Sequence, residues 1–303
     1  MKAAANSALD RAATEVRAAL KAGIARLEES SVPSAPLAAE LLLMHVLRRE
    51  RAWLYAHPEY ELNAEEAAAY AQLVDRRSTG VPTQYLTGRQ EFWGLEFEVG
   101  PGVLIPRPET EHVIEVALSR IGPRRTRPLR IADVGTGSGC IAIALAQELP
   151  QAQIVVTDIS AAALDYTRKN AERHSVSGQL EFHETNLLDA CLDSSGRPRR
   201  TFDLIVSNPP YVGHNDAASL PREVREHEPA EALFAGDHGL EIYAPLVDQA
   251  ACMLSANGIL VLEMGYNGLE YVRSLLAAPR WSDLCVAQDL AGIDRVISAV
   301  RFA

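Results

Sequence analysis

The segment IADVGTGSGC, residues 131–140, restricts the fold more than any other part of the chain. In it an apolar run of strand length leads directly into Gly135, Gly137 and Gly139, and a helix-like apolar run follows over Cys140–Glu148. Glycine tolerates positive φ and lets a ligand approach the backbone closely. A buried strand that turns through glycines into a helix is typical of the first βα unit of a nucleotide-binding α/β sheet.

The rest of the chain beyond residue 107 repeats this alternation of strand and helix, which predicts a doubly wound, Rossmann-like parallel sheet covered on both faces. The predicted strands are Leu129–Val134, Gln153–Asp158, Leu180–His183, Phe202–Ser207 and Ile259–Met264, with Ala161–His174 as a further helix. Two last strands, Leu284–Asp289 and Arg295–Phe302, flank Gly292 and predict a terminal antiparallel pair at the edge of a seven-stranded sheet. Residues 107–303 are therefore expected to form one α/β domain.

Residues 1–83 predict a small bundle of helices. Apolar residues recur at helical spacing over Leu9, Ala13, Val16, Leu20, Ile24 and Leu27. We expect Gly23 to bend or end this helix early. A second helix is expected over Leu37–Leu47, and a third is expected to open at Asn63, with Glu66 completing a capping box. Aromatic residues around two glycines predict a β-hairpin linker over residues 84–106.

Composition limits the class of protein. Of 303 residues, 48% are hydrophobic and 23% are charged, which is ordinary for a globular chain. No apolar run approaches the roughly 20 residues of a membrane helix, and the N-terminus has no signal-peptide core, so we expect a cytoplasmic protein without membrane contact. The four cysteines are far apart, which predicts buried thiols and neither a metal site nor disulfides.

Charge bears on the partners. The net charge of −11 argues against stable nucleic-acid binding. Two basic clusters interrupt this acidic background, namely Arg124, Arg125, Arg127 and Arg130, and Arg197, Arg199 and Arg200. Their position among turn residues favours solvated loops, and a docking patch for an acidic or RNA-bearing partner is the alternative.

The glycine turn predicts a cofactor site. The helix N-terminus offers backbone N–H donors, and Asp158, 19 residues after Gly139, ends the next strand, where a carboxylate can accept both ribose hydroxyls. The spacing is G-x-G-x-G, and Asp133 just before it would repel a pyrophosphate. A cationic, phosphate-free cofactor such as S-adenosylmethionine fits better than a dinucleotide. The predicted cofactor residues are Gly135, Thr136, Gly137, Ser138, Gly139 and Asp158; a tight turn without a ligand is the alternative.

The second motif, Asn208-Pro209-Pro210-Tyr211, follows the strand Phe202–Ser207. Ligands of an open α/β sheet bind outside the carboxyl ends of its strands, so this loop and the glycine turn should share one crevice. The two prolines stiffen the loop and remove two N–H donors. The acceptors that remain, the Asn208 side-chain oxygen and the Pro209 carbonyl, suit a planar NH2 group, with the Tyr211 ring stacked on its plane. The alternative interpretation of the Asn208-Pro209-Pro210-Tyr211 motif is a simple turn after the strand.

This arrangement predicts methyl transfer to an amide nitrogen. Acceptors on both N–H bonds favour pyramidalisation of a nitrogen whose lone pair is otherwise delocalised. Positioning and electrostatics then supply the acceleration, and no strong base is needed. We therefore expect Asn208, Pro209 and Tyr211 to be catalytic, with Pro210 completing the substrate-binding loop.

Together the two motifs resemble S-adenosylmethionine-dependent methyltransferases with an Asn-Pro-Pro-Tyr loop, and further segments narrow the resemblance to the HemK and PrmC type of release factor glutamine methyltransferase. These segments are Leu86–Gly88, Glu91–Gly94, Leu104–Glu111, His227–Pro229, Ala232–Gly236 and the small helical N-terminal domain. The resemblance implies a cytoplasmic transferase that acts in translation termination. Its substrate would be the glutamine of the Gly-Gly-Gln loop of peptide chain release factors.

The resemblance also implies roles for residues. The glycine turn and Asp158 would hold the cofactor, together with Asn186, Leu187 and Asn208. Asn186 and Leu187 depart from the family, which often has an acidic and then an aromatic residue there, so Asn186 would accept without charge and Leu187 would pack without stacking. A stretch over residues 193–200 resembles an insertion. The N-terminal domain is expected to recognise the body of the protein substrate.

Other functions stay open. A glutamine methyltransferase that acts on a large-subunit ribosomal protein shares the fold and chemistry, although Pro108–Glu111 favours the release factor enzyme. An adenine-N6 DNA methyltransferase would need a basic target-recognition region, but residues 1–85 carry 10 Lys and Arg against 11 Asp and Glu. A nucleotide-binding interaction module would not need the Asn208–Tyr211 loop.

Overall fold

The computed structural model describes residues 15–277 and 279–302. The predicted helix positions Leu9 and Ala13 lie outside the described residues. The chain divides into two compact units. The first comprises the chain up to Arg89 together with residues 221–227, and the second comprises residues 90–220 and the chain from Glu228 onward.

The N-terminal part of the first unit is helical. Its helices are α1 (Val16–Glu29), α2 (Ala35–Leu47), α3 (Arg51–Ala56), α4 (Ala64–Ser78) and α5 (Thr83–Thr87). Leu27, Leu42, Leu43 and Leu54 are among the fully buried side chains of its core. The predicted capping box is confirmed, because Asn63 accepts from the Glu66 backbone N–H and the Glu66 side chain accepts from that of Asn63, each at 2.9 Å.

The expectation that Gly23 ends the first helix early is wrong. Helix α1 continues through Gly23 to Glu29. A Cβ at this position would lie 2.2 Å from the hydroxyl oxygen of Tyr70, which is on α4. Glycine at this position therefore allows two helices to approach closely, and the packing outweighs its low helix propensity.

A hairpin follows, but it is shorter than the predicted 84–106 segment. Strands β1 (Arg89–Phe92) and β2 (Leu95–Glu98) form it, whereas residues 84–87 are helical and belong to α5. The helix ends at Gly88, whose φ of 75° is left-handed. Phe92 and Phe97 belong to the buried core of the second unit, so the hairpin is part of that core as well as a connection along the chain.

The described residues of the second unit form a sheet of seven strands. These are β3 (Arg130–Val134), β4 (Gln153–Asp158), β5 (Leu180–Glu184), β6 (Phe202–Ser207), β7 (Leu254–Glu263), β8 (Trp281–Gln288) and β9 (Asp294–Arg301). Their order is β5-β4-β3-β6-β7-β9-β8, with β3 to β7 parallel and the last two antiparallel. The predicted sheet and terminal pair are confirmed.

Strand β7 begins five residues earlier than predicted. Its register against β6 shifts between Phe202 and Leu204, which pair with Leu254 and Ile259. The four residues between these partners on β7 include Asn257 with a φ of 60° and Gly258, a local polar stretch that carries no strand signal. The irregular pairing is why sequence periodicity found only the apolar half of this strand.

Helices cover both faces of the sheet, as predicted. The helices of the second unit are α6 (Glu111–Ile121), α7 (Cys140–Glu148), α8 (Ala161–Arg173), α10 (Ala230–Leu233), α11 (Tyr243–Met253) and α12 (Leu269–Leu275), whereas α9 (Arg222–His227) belongs to the first unit. Apolar residues of α6, α7 and α8 pack in one buried layer with Ile131 and Ile154. Those of α11 and α12 pack in another with Ala132 and Val155. Alternate residues of each strand thus face opposite layers.

Three surface features complete the description. Cys140 and Cys191 are buried, but Cys252 and Cys285 are exposed, so the expectation of buried thiols is wrong for the last two. No helix among the described residues has both the length and the apolar character to cross a bilayer. The basic clusters are tied to their surroundings: Arg125 donates to the Leu118 carbonyl at 3.0 Å, and Arg200 pairs with Glu181.

Candidate active site

A crevice opens at the carboxyl ends of β3, β4 and β6, and it encloses about 1000 Å³, including the solvent at its mouth. The sequence-predicted residues that line it are Gly135, Thr136, Gly137, Ser138, Asp158, Asn186, Leu187, Asn208, Pro209 and Pro210. The two motifs therefore share one crevice, as expected. Gly139 and Tyr211 lie outside this lining.

The glycine turn is held by the end of β4. The backbone N–H groups of Gly135 and Thr136 both donate to the Thr157 carbonyl, at 2.9 and 3.0 Å. The N–H of Gly137 donates to Asp158 Oδ2 at 2.9 Å. These three N–H groups are therefore paired within the chain, whereas the donors predicted for the ligand were those of the helix N-terminus at Cys140. The turn thus offers open space at Gly135 and no unpaired N–H group at residues 135–137, which suits a cationic ligand better than an anionic one.

The three glycines serve different purposes. All have positive φ, at 71°, 58° and 83° for Gly135, Gly137 and Gly139. A Cβ on Gly135 would meet no atom of the described chain within 4 Å, so open space lies directly above this residue. A Cβ on Gly139 would lie 2.7 Å from Thr167 Cγ2 on α8. Gly135 thus leaves room for a ligand, whereas Gly139 allows two helices to pack.

Asp133 supports the turn from inside the protein. It is fully buried, and its Oδ2 accepts from the Thr136 hydroxyl at 2.7 Å and from the Ala142 backbone at 3.2 Å. Burial raises the pKa of this carboxyl to about 7. Asp133 does not line the crevice, so its structural effect is to fix the turn and the start of α7.

Asp158 lies on the crevice wall where the ribose acceptor is expected. One carboxylate oxygen accepts from Gly137 N and the other from Ser160 N, each at 2.9 Å. Burial raises the pKa of Asp158, and the nearby carboxylate of Glu231 raises it further. The Arg107 guanidinium also lines the crevice, and its Nη2 lies 2.5 Å from Glu228 Oε1 in an ion pair. Negative charge therefore prevails in this part of the crevice.

Asn186 and Leu187 line the same end of the crevice. Leu187 has a φ of 45°, which is unusual for a branched side chain and is typical of functional loops. Its side chain is buried against the layer that contains Val155 and Leu188. The position is thus an apolar wall without an aromatic ring.

The loop after β6 presents an unsatisfied acceptor. Ser207, the last residue of the strand, donates to the Val134 carbonyl at 2.6 Å and joins the ends of β6 and β3. The Asn208 amide donates through Nδ2 to the Thr110 hydroxyl at 3.0 Å. Its Oδ1 is buried, yet no described atom donates to it. A buried polar atom without a partner is costly, so this oxygen is a site where a ligand donor would be stabilised.

Tyr211 lies behind this loop. A Cβ on Gly265 would come within 3.2 Å of the Tyr211 ring, so the ring packs against that backbone. Burial raises the pKa of the Tyr211 phenol, and the neighbouring Glu263 carboxylate adds to the rise. The structure therefore places this ring outside the crevice lining, and its stacking on a substrate amide stays a prediction.

Sequence reasoning missed three residues of the site. Thr110 lines the crevice and contacts Asn208, Glu263 is buried at the end of β7, and Glu228 accepts from Ile105 N at 3.1 Å and from Arg107. Thr110 and Glu228 lie in the segments Leu104–Glu111 and His227–Pro229, which carry the family resemblance, whereas Glu263 interrupts the apolar run of the predicted strand. A carboxylate at the end of a predicted buried strand, such as Glu263, was the signal available.

Comparison with known proteins agrees with this geometry. Residues 18–88 match the model of the PrmC N-terminal domain, and residues 116–225 match that of the methyltransferase small domain. The chain is 43% identical to the release factor glutamine methyltransferase of Koribacter versatilis over 93% of this chain and 97% of that protein. It is 42% identical to the release factor glutamine methyltransferase of Chlorobaculum tepidum over 93% of this chain and 95% of that protein. This chain belongs to the release factor glutamine methyltransferase family.

The fold comparison is more distant and concerns architecture alone. The 16S rRNA N2 G1207 methyltransferase of T. thermophilus, solved in complex with AdoMet and guanosine, superposes with a TM-score of 0.51 at 20% identity. The match covers 70% of this chain and 49% of that one. The methyltransferase fold predicted for this family member is thereby confirmed.

Proposed function

We propose that this protein transfers the methyl group of S-adenosylmethionine to the side-chain amide nitrogen of glutamine in the Gly-Gly-Gln loop of peptide chain release factors. The observation that carries the proposal is the Asn208 Oδ1 atom, a buried acceptor without a described partner on the crevice wall. Membership of the family supports the choice of substrate.

The crevice fits the proposed cofactor. S-adenosylmethionine carries a sulfonium and an ammonium group and no phosphate, and it supplies an electrophilic methyl group when bound. Open space above Gly135 would admit it, the Asp158 carboxylate would accept ribose hydroxyls, and Asn186 and Leu187 would face the adenine. The acidic wall and the absence of free N–H groups at Gly135, Thr136 and Gly137 favour this cation over a dinucleotide.

The chain's own residues prepare the amide. Asn208 Oδ1 and the Pro209 carbonyl would accept the two N–H bonds of the glutamine side chain and hold its nitrogen in one orientation. Both acceptors would draw the N–H bonds out of the amide plane and so localise the lone pair on the nitrogen. The methylated nitrogen would be cationic and strongly acidic, so it would lose one proton to water without a strong base. A preorganised pair of acceptors costs no reorganisation during the reaction, so electrostatics and positioning provide the acceleration.

The N-terminal unit would recognise the substrate protein. Residues 18–88 match the PrmC N-terminal domain, which supports substrate recognition as the role of this unit. Deletion of residues 1–80 should abolish methylation of an intact release factor and leave S-adenosylmethionine affinity unchanged, as measured by calorimetry. Equal methylation by the truncated protein would contradict this role.

Intact-mass spectrometry tests the proposed function. A release factor incubated with the protein and S-adenosylmethionine should gain one methyl group, and the matched reaction without cofactor should leave its mass unchanged. If the cofactor binds but no release factor is methylated, the substrate assignment is wrong. Large-subunit ribosomal proteins and then DNA would be the substrates to examine next.

A further inference from the structure

One group of the proposed cofactor has no partner in the glycine turn. S-adenosylmethionine carries a carboxylate beside its ammonium group, and a carboxylate is bound best by charged N–H donors. We propose that Arg107, held in place by Glu228, binds this carboxylate and so selects a cofactor that has one. The inference rests on the proposed function, because it takes S-adenosylmethionine as the ligand of the crevice.

Arg107 supplies the positive charge of the crevice wall. Among the described residues that line the crevice, it is the only lysine, arginine or histidine, and two carboxylates line the crevice as well. The N–H groups of residues 135–137 are already paired within the chain. At the start of α7, Asp133 accepts from Ala142 N at 3.2 Å, so a carboxylate of the chain already lies at this helix N-terminus. An anionic group of a ligand therefore has its strongest partner in Arg107.

Glu228 fixes the Arg107 guanidinium without using all of its donors. The Glu228 side chain is 1% exposed. Its Oε1 accepts from Arg107 Nη2 at 2.5 Å, and its Oε2 accepts from the Ile105 backbone N–H at 3.1 Å. A guanidinium has five N–H donors, and no described atom accepts from Nε or Nη1 of Arg107. The Arg107 side chain lines the crevice and is 31% exposed, so donors remain for a ligand.

The strand order places Arg107 on the side of the crevice opposite the proposed nucleoside contacts. Asp158 ends β4 and Asn186 follows β5, so both lie on one side of β3, and β6 lies on the other. Arg107 belongs to the β6 side, because its carbonyl accepts from Thr110 N at 3.1 Å and the Thr110 hydroxyl accepts from Asn208 Nδ2 at 3.0 Å. With the nucleoside at Asp158, the methionine part of the cofactor would extend past the glycine turn toward Arg107.

Two ligands test the proposal on the unmodified protein. Decarboxylated S-adenosylmethionine keeps the adenosine, the sulfonium and the amino group and lacks only the carboxylate. By calorimetry, wild-type protein should bind S-adenosylmethionine about 10- to 100-fold more tightly than this analogue, the usual effect of one hydrogen bond to a charged group. Equal affinities would overturn the proposal.

Variants assign this difference to Arg107. Arg107→Met removes the charge, and it should weaken S-adenosylmethionine binding about 10- to 100-fold and change the affinity for the analogue by less than about threefold. Arg107→Lys should lose less than Arg107→Met, because it keeps the charge without the planar fork. Arg120→Met is the matched control and should leave both affinities unchanged, since Arg120 pairs with Asp283 at 2.9 Å and does not line the crevice.

A double variant separates the lost contact from a disturbed wall. Arg107→Met leaves the buried Glu228 carboxylate unpaired, which is destabilising. Adding Glu228→Gln removes that charge, and the double variant should again lose affinity for S-adenosylmethionine alone. Parallel losses for both ligands in the double variant would overturn the proposal.

The same affinities distinguish this inference from the proposed function. If they behave as predicted and no release factor gains a methyl group, the substrate assignment fails and the role of Arg107 stands. If release factors are methylated and wild-type protein binds both ligands equally well, only the role of Arg107 is refuted. If wild-type protein binds neither ligand, the proposed cofactor is wrong and the inference fails with it.

Discussion

The glycine turn and the loop that begins at Asn208 line the same crevice, but they differ in hydrogen bonding. The turn has paired backbone donors, and the loop has an unpaired acceptor. In the glycine turn, the N–H groups of residues 135–137 are already paired with the end of β4. In the loop after β6, Asn208 Oδ1 is buried without a described partner. The backbone donors at residues 135–137 of the first region are paired without a ligand, and this region provides shape and charge. The second keeps an unsatisfied acceptor, which is what a site that must orient a reacting group requires.

The largest expected effect removes the unsatisfied acceptor. Asn208→Ala should lower kcat by about 100- to 1000-fold, comparable to the loss of one oxyanion-hole donor in other enzymes. S-adenosylmethionine affinity should change far less, because the glycine turn and Asp158 remain. Turnover and calorimetric binding, measured on the same preparation, check this. A parallel collapse of cofactor binding would show that the two regions are not separable.

Substitution of two glycines of the turn separates an effect on ligand binding from an effect on helix packing. Gly135→Ala and Gly139→Ala both place a Cβ at positive φ, at a cost of about 1 kcal/mol each. The Cβ of Gly139→Ala also meets Thr167 at 2.7 Å, so this variant should lose about 2–4 kcal/mol of unfolding free energy. Gly135→Ala should lose about 1 kcal/mol and most of its cofactor affinity. Denaturant unfolding and calorimetry provide the comparison, and equal stability losses would contradict the assignment.

The buried Asp133 makes stability depend on pH. Its pKa in the folded protein, about 7, lies above the ordinary 3.8, so the folded state holds this proton more tightly than the unfolded state. Stability should therefore fall as the pH rises from about 4 to about 7 and change no further above it. Asp133→Asn can still accept from Thr136 and Ala142 and lacks this penalty. Its unfolding free energy relative to wild type should increase across the window by about 1–4 kcal/mol; a difference that stays flat with pH would contradict the account.

The smallest expected effect concerns the adenine wall. Leu187→Phe would add an aromatic face to the crevice and should strengthen cofactor binding by about 0.5–1 kcal/mol. Leu187→Ala should weaken it. Titration calorimetry measures both variants, and an unchanged affinity in both would show that Leu187 does not face the cofactor.

Much of the fold was predictable because local signals agree with it. The glycines of the turn, the capping box at Asn63 and the strand–helix alternation all depend on residues close in sequence. Gly23 and the first half of β7 were not predictable in this way, because a contact with Tyr70 and an irregular pairing with β6 decide them.

In the candidate site, too, local sequence revealed some residues, and contacts between distant residues decided the others. Asn208 and Asp158 stand at strand ends, where a sequence reveals them. The hydrogen-bond partner of the Asn208 amide was missed, because Thr110 lies 98 residues away along the chain. The placement of the Tyr211 ring behind the loop depends on packing against Gly265. Spacing along the chain cannot report such contacts.

The central claim is that Asn208 and Pro209 present an amide nitrogen to a methyl donor. Tandem mass spectrometry of a release factor, methylated by the wild-type protein with isotopically labelled S-adenosylmethionine, tests it most directly. The account predicts a single labelled methyl group on the side-chain nitrogen of the Gly-Gly-Gln glutamine, and labelling about 100- to 1000-fold slower when Asn208→Ala replaces the wild type. A methyl group on another residue, or equal labelling by the variant, would contradict it.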